Sequence, residues 1–272
     1  MINNEIIFFF IYCFVGWVCE EVYCSIGEKK IVYRGFLYGP YLPIYGFGAM
    51  SVLFLLDPFI DNIVLLFFAG MIVTSIIEYI GSYLLEKVFH IKLWDYSKNF
   101  MNINGRVCLL NSTMFGVLSL AMVYIIHPFV ESIVAMIPAV GQYYIAMAIV
   151  LVMSFDFALS SAKMLSFNKA LEEFRDRSEE VKEKILSAQN HEKAEEFIQN
   201  IKDKWAEESA SRKAKLARRN RRIIMAFPSM KSRNNFIDTE MDKVKAEFSA
   251  WVLRGKQQFK ELKEKRKLYT RK

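Results

Sequence analysis

The chain has 272 residues, 53% apolar and 15% aromatic, and its 36 basic and 29 acidic side chains give a formal charge of +7. That charge is unevenly placed: residues 1–167 hold 8 Lys/Arg and 11 Asp/Glu, a net of −3, while residues 168–272 hold 28 and 18, a net of +10. A single soluble domain is excluded, because the apolar residues gather into runs of about the 17–25 residues needed to cross a bilayer, and four cysteines without paired spacing exclude a disulfide-built secreted domain.

The runs predict five transmembrane helices, at about Ile6–Tyr23, Phe36–Leu56, Ile63–Leu85, Val107–Ile126 and Val140–Ala162. The first follows Met-Ile-Asn-Asn-Glu, which lacks the basic n-region of a signal peptide and reads as a retained helix. Lys29, Lys30 and Arg34 lie between spans one and two, and Lys87, Lys92, Lys98 and Arg106 between spans three and four. The remaining two connections, near Asp57–Asn62 and His127–Pro138, carry no Lys or Arg. Since basic loops stay on the cytoplasmic side, this pattern predicts a multi-pass inner-membrane protein with its N-terminus outside and its C-terminus in the cytoplasm.

A domain boundary is expected between residues 165 and 166. Beyond it Phe167, Leu171, Phe174, Val181, Ile185 and Ala188 follow 3/4 spacing, a narrow stripe on a charged helix. Weaker stripes run through Ile198, Ile201 and Trp205, and from Ile237 to Leu262, with a break at Phe227-Pro228-Ser229. The fold expected is all-α: five transmembrane helices (1–165) and a basic cytoplasmic helical hairpin or coiled coil (166–272). Arg212, Lys213, Lys215, Arg218, Arg219, Arg221 and Arg222 place seven basic residues within eleven. In a membrane protein the nearest polyanion is anionic lipid, with each basic residue near the surface worth on the order of 1 kcal/mol. Nucleic acid is disfavoured, and a solvated charged face is the alternative.

Ionisable groups inside spans cost roughly 2.5–3.5 kcal/mol each on insertion scales and normally face protein or water. Glu20, Glu78 and Asp156 lie towards the cytoplasmic ends of spans one, three and five, so a shared depth is expected, as an interhelical hydrogen-bond lock or as part of a solute or proton pathway. Gly35, Gly39, Pro40, Pro43 and Gly46 interrupt the start of span two and predict either a broken helix lining a cavity or a tight interfacial turn. Arg34, Asp95 and Arg106 are expected at the cytoplasmic mouth, as an internal clamp or as contacts to an anionic ligand.

At these residues the chain resembles a known family, the "Putative ABC-transporter type IV" membrane proteins. The resemblance rests on Gly16-Trp17 with Glu20, the stretch Arg34–Gly46, Glu78-Tyr79 with Gly81 and Glu86-Lys87, Trp94–Ser97, Asn104-Gly105-Arg106 and His127-Pro128, and covers about residues 5–165. It implies a permease-like integral membrane subunit.

No G-x-x-x-x-G-K-[ST] is present, so a separate ATPase subunit is the expected partner of such a permease, alongside membrane lipids. His90, His127 and His191 are scattered and Cys13, Cys19, Cys24 and Cys108 show no C-x-x-C pairing, so neither a metal site nor a cofactor nor enzymatic activity is expected. Two other readings stay open: a non-transporting scaffold or regulatory protein, whose C-terminal coiled coil recruits a cytoplasmic partner or a second copy, and, less favoured, a lipid-headgroup enzyme.

Overall fold

A computed structural model describes residues 2–28, 33–188, 194–227 and 229–232. It divides into two compact units: Met1–Leu165 with Met225–Lys231, and Ser166–Ile224 with Ser232–Lys272. The predicted stripe between Ile237 and Leu262, the break at Pro228, and Lys29, Lys30 and His191 lie outside the described residues.

The first unit is an all-α membrane bundle. Its elements are α1 (Ile2–Glu28), α2 (Pro43–Leu55), α3 (Ile63–Phe89), α4 (Leu109–Ala121), a π-helical turn at Met122–Ile126, α5 (His127–Ala135) and α6 (Ala139–Ala188). Among the described residues, four helical stretches are long and apolar enough to cross a membrane: Ile2–Ile26, Ile63–Phe89, Leu109–Ala135 and Ala139–Ile185. Their polarity is inverted relative to a soluble protein. On α3, Ile72, Ile76 and Ile80 are exposed, whereas Gly70, Glu78 and Ser82 on the opposite row are buried. On α6, Leu151, Phe155 and Leu159 face outward and Asp156 and Ser160 inward. Such a surface suits contact with hydrocarbon.

The second expected span differs most from its sequence reading. Instead of one helix over residues 36–56, residues 33–42 are non-helical and α2 begins at Pro43. Pro43 occupies the first turn, where its missing N–H costs nothing. Gly35 has φ 126°, a conformation that a side chain would resist. At 13 residues α2 rises only about 20 Å, short of the roughly 30 Å hydrocarbon core. The two parts together still run the length of α3: Phe36 meets Phe89 with ring centroids 5.2 Å apart, and Leu56 clusters with Leu66.

The fourth span also departs from expectation. The chain was expected to leave the helix at Ile126, yet it remains helical to Ala135. The π turn widens the helix immediately ahead of Pro128, the geometry that accommodates a proline ring and its missing donor. The connection to α6 is only residues 136–138.

Close approaches between helices are made over small residues. α2 runs antiparallel to α1: Gly46 faces Cys13 and Phe9, and Gly16 faces the Tyr45 ring. Gly70 of α3 lies against Ser119 of α4, where a Cβ would come within 2.5 Å of the serine Cβ. A polar ladder accompanies the apolar packing, with Ser75 Oγ donating to Ser112 Oγ at 2.7 Å. At the opposite end of α1, Tyr12 and the His127 Nδ1 lie 2.6 Å apart, and Phe8 meets the imidazole edge-on.

The second unit holds the C-terminal part of α6, α7 (Ala194–Arg219) and the start of α8 (Arg221–Ala226). Here α6 and α7 pack antiparallel. Phe174 stacks on Trp205 at 5.6 Å, Lys213 Nζ sits 5.3 Å from the Phe174 centroid, and Arg219 Nη2 donates to Ser166 Oγ at 3.4 Å. Phe167, Leu171, Phe174 and Ala217 are buried in this seam. Arg212, Lys215, Arg218, Arg219 and Arg221 are exposed, with Lys213 and Arg222 partly covered; Arg212 also pairs with Glu208 at 2.7 Å.

Candidate functional site

The three intramembrane acids do not form one cluster. Asp156 is fully engaged by the non-helical segment: Oδ1 accepts the Tyr38 N–H at 2.8 Å and Ser160 Oγ at 3.0 Å, while Oδ2 accepts the Gly39 N–H at 2.7 Å and the Tyr41 hydroxyl at 2.6 Å. Backbone that leaves the helix at membrane depth needs such an acceptor, because hydrocarbon supplies none. On the other side of the segment the Leu42 N–H reaches the Cys13 carbonyl at 3.0 Å.

Glu20 and Glu78 form a separate pair. Tyr45 of α2 donates to Glu20 Oε2 at 2.7 Å, and Cys24 Sγ lies 3.4 Å from Glu20 Oε1. The Tyr96 hydroxyl, from the loop after α3, hydrogen-bonds the Glu78 carboxyl, and Asn111 at the start of α4 lies within hydrogen-bonding reach of Tyr96. The carboxylates act on one another electrostatically, and both act on Tyr45. Glu78 is only 6% exposed, and its Oε2 is closed to solvent without a hydrogen-bond partner among the described residues. Tyr96 is pushed well above the usual phenol range, first by burial and then by the charges of Glu78 and Glu20, so it stays a proton donor throughout ordinary pH.

The pair is assembled by local sequence. Gly16 lets the Tyr45 ring lie against α1, and Pro43 starts α2 so that Tyr45 falls in its first turn, at the level of Glu20. His90 closes α3 in the left-handed conformation at φ 55°, turning the chain into the loop that brings Tyr96 back over Glu78. That loop is tied internally: the Tyr96 N–H bonds the Gly105 carbonyl at 2.8 Å, and Trp94 Nε1 donates to the Arg106 carbonyl at 3.0 Å.

The expected cytoplasmic-mouth residues take other partners than one another. Arg106 binds Glu86 Oε2 at 2.7 Å and Ser82 Oγ at 3.2 Å, with its guanidinium about equally far from the Tyr79 and Tyr83 rings, at 5.6 and 5.5 Å. Asp95 is bound by Lys92 at 3.0 Å and by Ser97. The Arg34 N–H donates to Glu21 Oε1 at 2.6 Å, and Arg34 Nη1 donates to the Ala226 carbonyl at 2.9 Å. In place of an Asp95–Arg106 clamp, Asp95 pairs with Lys92 three residues away, and Arg106 pairs with Glu86, which the loop after α3 brings within reach.

Tyr41, Tyr45 and Asn111 carry no site assignment in the sequence reading, and Glu86 and Tyr96 enter it only within the stretches that carry the family resemblance. The available signal was the placement of Tyr41 and Tyr45 within the proline-interrupted stretch, since a tyrosine hydroxyl at membrane depth needs a partner.

A family model described as "Putative ABC-transporter type IV" matches residues 7–161. No curated protein and no solved structure matches the chain.

Proposed function

The chain belongs to the family described as "Putative ABC-transporter type IV", and from that membership we propose that it is the permease-like membrane subunit of an ABC-type transport system, with ATP hydrolysis supplied by a separate chain. The observation that carries the reading is the acid–tyrosine site of Glu20, Tyr45, Glu78 and Tyr96, with Glu78 buried and the others half-buried beside a non-helical segment. Ionisable groups are costly there and mark pathways more often than scaffolding. Residues 33–42 and α2 together count as one crossing, giving five, with the N-terminus outside and Arg34, Asp95 and Arg106 on the cytoplasmic side of the inner membrane. The exposed basic face of α7 is assigned to anionic lipid.

Purification in mild detergent followed by mass spectrometry tests the assignment: an ATPase subunit should co-purify, and its reproducible absence would sink the ABC arrangement. Within the assembled system, Glu78→Ala is expected to lower transport-linked activity about tenfold or more, the effect of losing roughly 1.4 kcal/mol at a functional step, whereas Glu131→Ala, at an exposed acid, leaves it unchanged. Equal activities at equal membrane abundance would remove the site from the pathway.

A second reading, a scaffold that recruits a cytoplasmic partner or a second copy, is favoured by the separate compact α6–α7 unit. Removing residues 168–272 separates the two: a scaffold loses its role, while a permease retains substrate-dependent flux.

A further inference from the structure

We propose that the loop between α3 and α4 is a lipid anchor: Phe100, Met101 and Ile103 at its tip are immersed among the acyl chains of the leaflet that holds the C-terminal end of α3, with Lys98 at the level of the phosphates. The inference is separate from the transport reading and needs only that α3 and α4 belong to a membrane bundle.

The loop does not stand away from the bundle but folds back along α3. On the outer face of that helix the apolar surface of Ile76, Ile80 and Leu84 ends at the exposed Lys87, which marks the level of the headgroups. Asn104 Nδ2 donates to the Tyr79 hydroxyl at 2.9 Å, and Arg106 reaches Ser82 and Glu86. Tyr79 precedes Lys87 by eight residues, about 12 Å along the helix. Helical side chains lean towards the N-terminus, here away from the headgroups, so Asn104 is held on the hydrocarbon side of Lys87.

The hydrogen bonding of the loop suits that depth, where backbone groups find little water. Asn102 is the hub: its Nδ2 donates to the Ser97 and Asn99 carbonyls at 3.2 and 2.9 Å, and its Oδ1 accepts the Gly105 N–H at 3.0 Å. Lys92 Nζ covers the Asn104 carbonyl at 2.8 Å, and the Ile103 N–H reaches the Val107 carbonyl at 3.0 Å. Polar groups thus turn inward while Phe100, Met101 and Ile103 stand 77%, 64% and 59% exposed. Met101 is held at φ 49°, a left-handed conformation that its side chain resists, so the surrounding bonds impose the outward pose. Two features name lipid as the occupant. The tip runs directly into α4, whose Leu109, Leu110 and Met114 are also exposed, so its apolar surface continues the one that meets hydrocarbon. Lys98 beside it is exposed, and no Asp or Glu occurs between residues 96 and 108, a charge balance complementary to phosphate.

The test is photocrosslinking of the full-length protein in native membranes. The photoreactive residue p-benzoyl-phenylalanine replaces Phe100 or, separately, Ile103, and after irradiation and purification the adducts are read by mass spectrometry. Each position is expected to give phospholipid adducts at a yield within about twofold of the same group at Ile80, an outward position of α3. At Glu183, an exposed acid on the charged part of α6, the yield is expected to be about tenfold lower or less, because no apolar surface holds acyl chains there. Polypeptide adducts in place of lipid at either tip position would show that a partner protein covers the loop, and a yield as low as that at Glu183 would show that the tip faces water. Either result overturns the proposal. Both tip residues lie outside the core, and if one variant fails to accumulate the other decides. No transport is measured, so failure leaves the permease reading intact, and absence of an ATPase partner leaves the lipid anchor intact.

Discussion

Replacing Asp156 with alanine is expected to lower the stability of the membrane unit by about 3–5 kcal/mol, the cost of breaking a buried charged network and orphaning its partners. Four donors lose their acceptor at once: the Tyr38 and Gly39 N–H groups, the Tyr41 hydroxyl and Ser160 Oγ. The two backbone donors have no helical alternative, because Pro40 and Pro43 prevent residues 36–42 from winding into α2. Ser160 alone can turn to another acceptor, a helical carbonyl. Asp156→Asn keeps one acceptor oxygen and should recover part of the loss. Thermal unfolding in detergent reads this order directly, wild type above Asn above Ala, with the alanine variant lower by roughly 10 °C. An alanine variant as stable as wild type would show that the segment is held by other means.

The second large effect is steric. In α2, Gly46→Leu should cost about 3 kcal/mol or more, or prevent assembly, because a Cβ there lies 2.8 Å from a Phe9 ring carbon and closer still to Cys13 Sγ. Two residues further along the same helix, Gly48 has only Thr74 Cγ2 nearby, at 3.9 Å, so Gly48→Ala should be tolerated. Size-exclusion profiles of the two variants at matched expression check the contrast. Cys13, fully buried in the wild type, should become reactive to thiol reagents only in the Gly46 variant.

The long helices were legible because apolar runs at bilayer length have one dominant solution; the Gly/Pro run signalled an interruption at the start of the second span but not that α2 starts at Pro43. His127-Pro128 misled because proline is the strongest local stop signal, while the π turn that absorbs it carries no distinctive side chain. Glu20 and Glu78 were placed at one depth by counting along helices. Counting also put Asp156 there, but depth does not give azimuth: Asp156 faces the non-helical segment, and its main partners are backbone N–H groups, which leave no mark in a sequence. Arg106 and Glu86 were readable as charges but not as a pair, because the loop that joins them turns through left-handed residues at Met101, Asn104 and Gly105.

The bond between Tyr38 N–H and Asp156 also imposes an order on biogenesis. Its acceptor lies 118 residues downstream of its donor, so when residues 33–55 leave the ribosome the groups that make residues 36–42 tolerable in hydrocarbon have not yet been synthesised. α1 can supply the carbonyl of Cys13, but the carboxylate arrives only with α6. Residues 33–55 are therefore expected to settle only once α6 has entered, and a truncation ahead of α6 is expected to leave them without their acceptor.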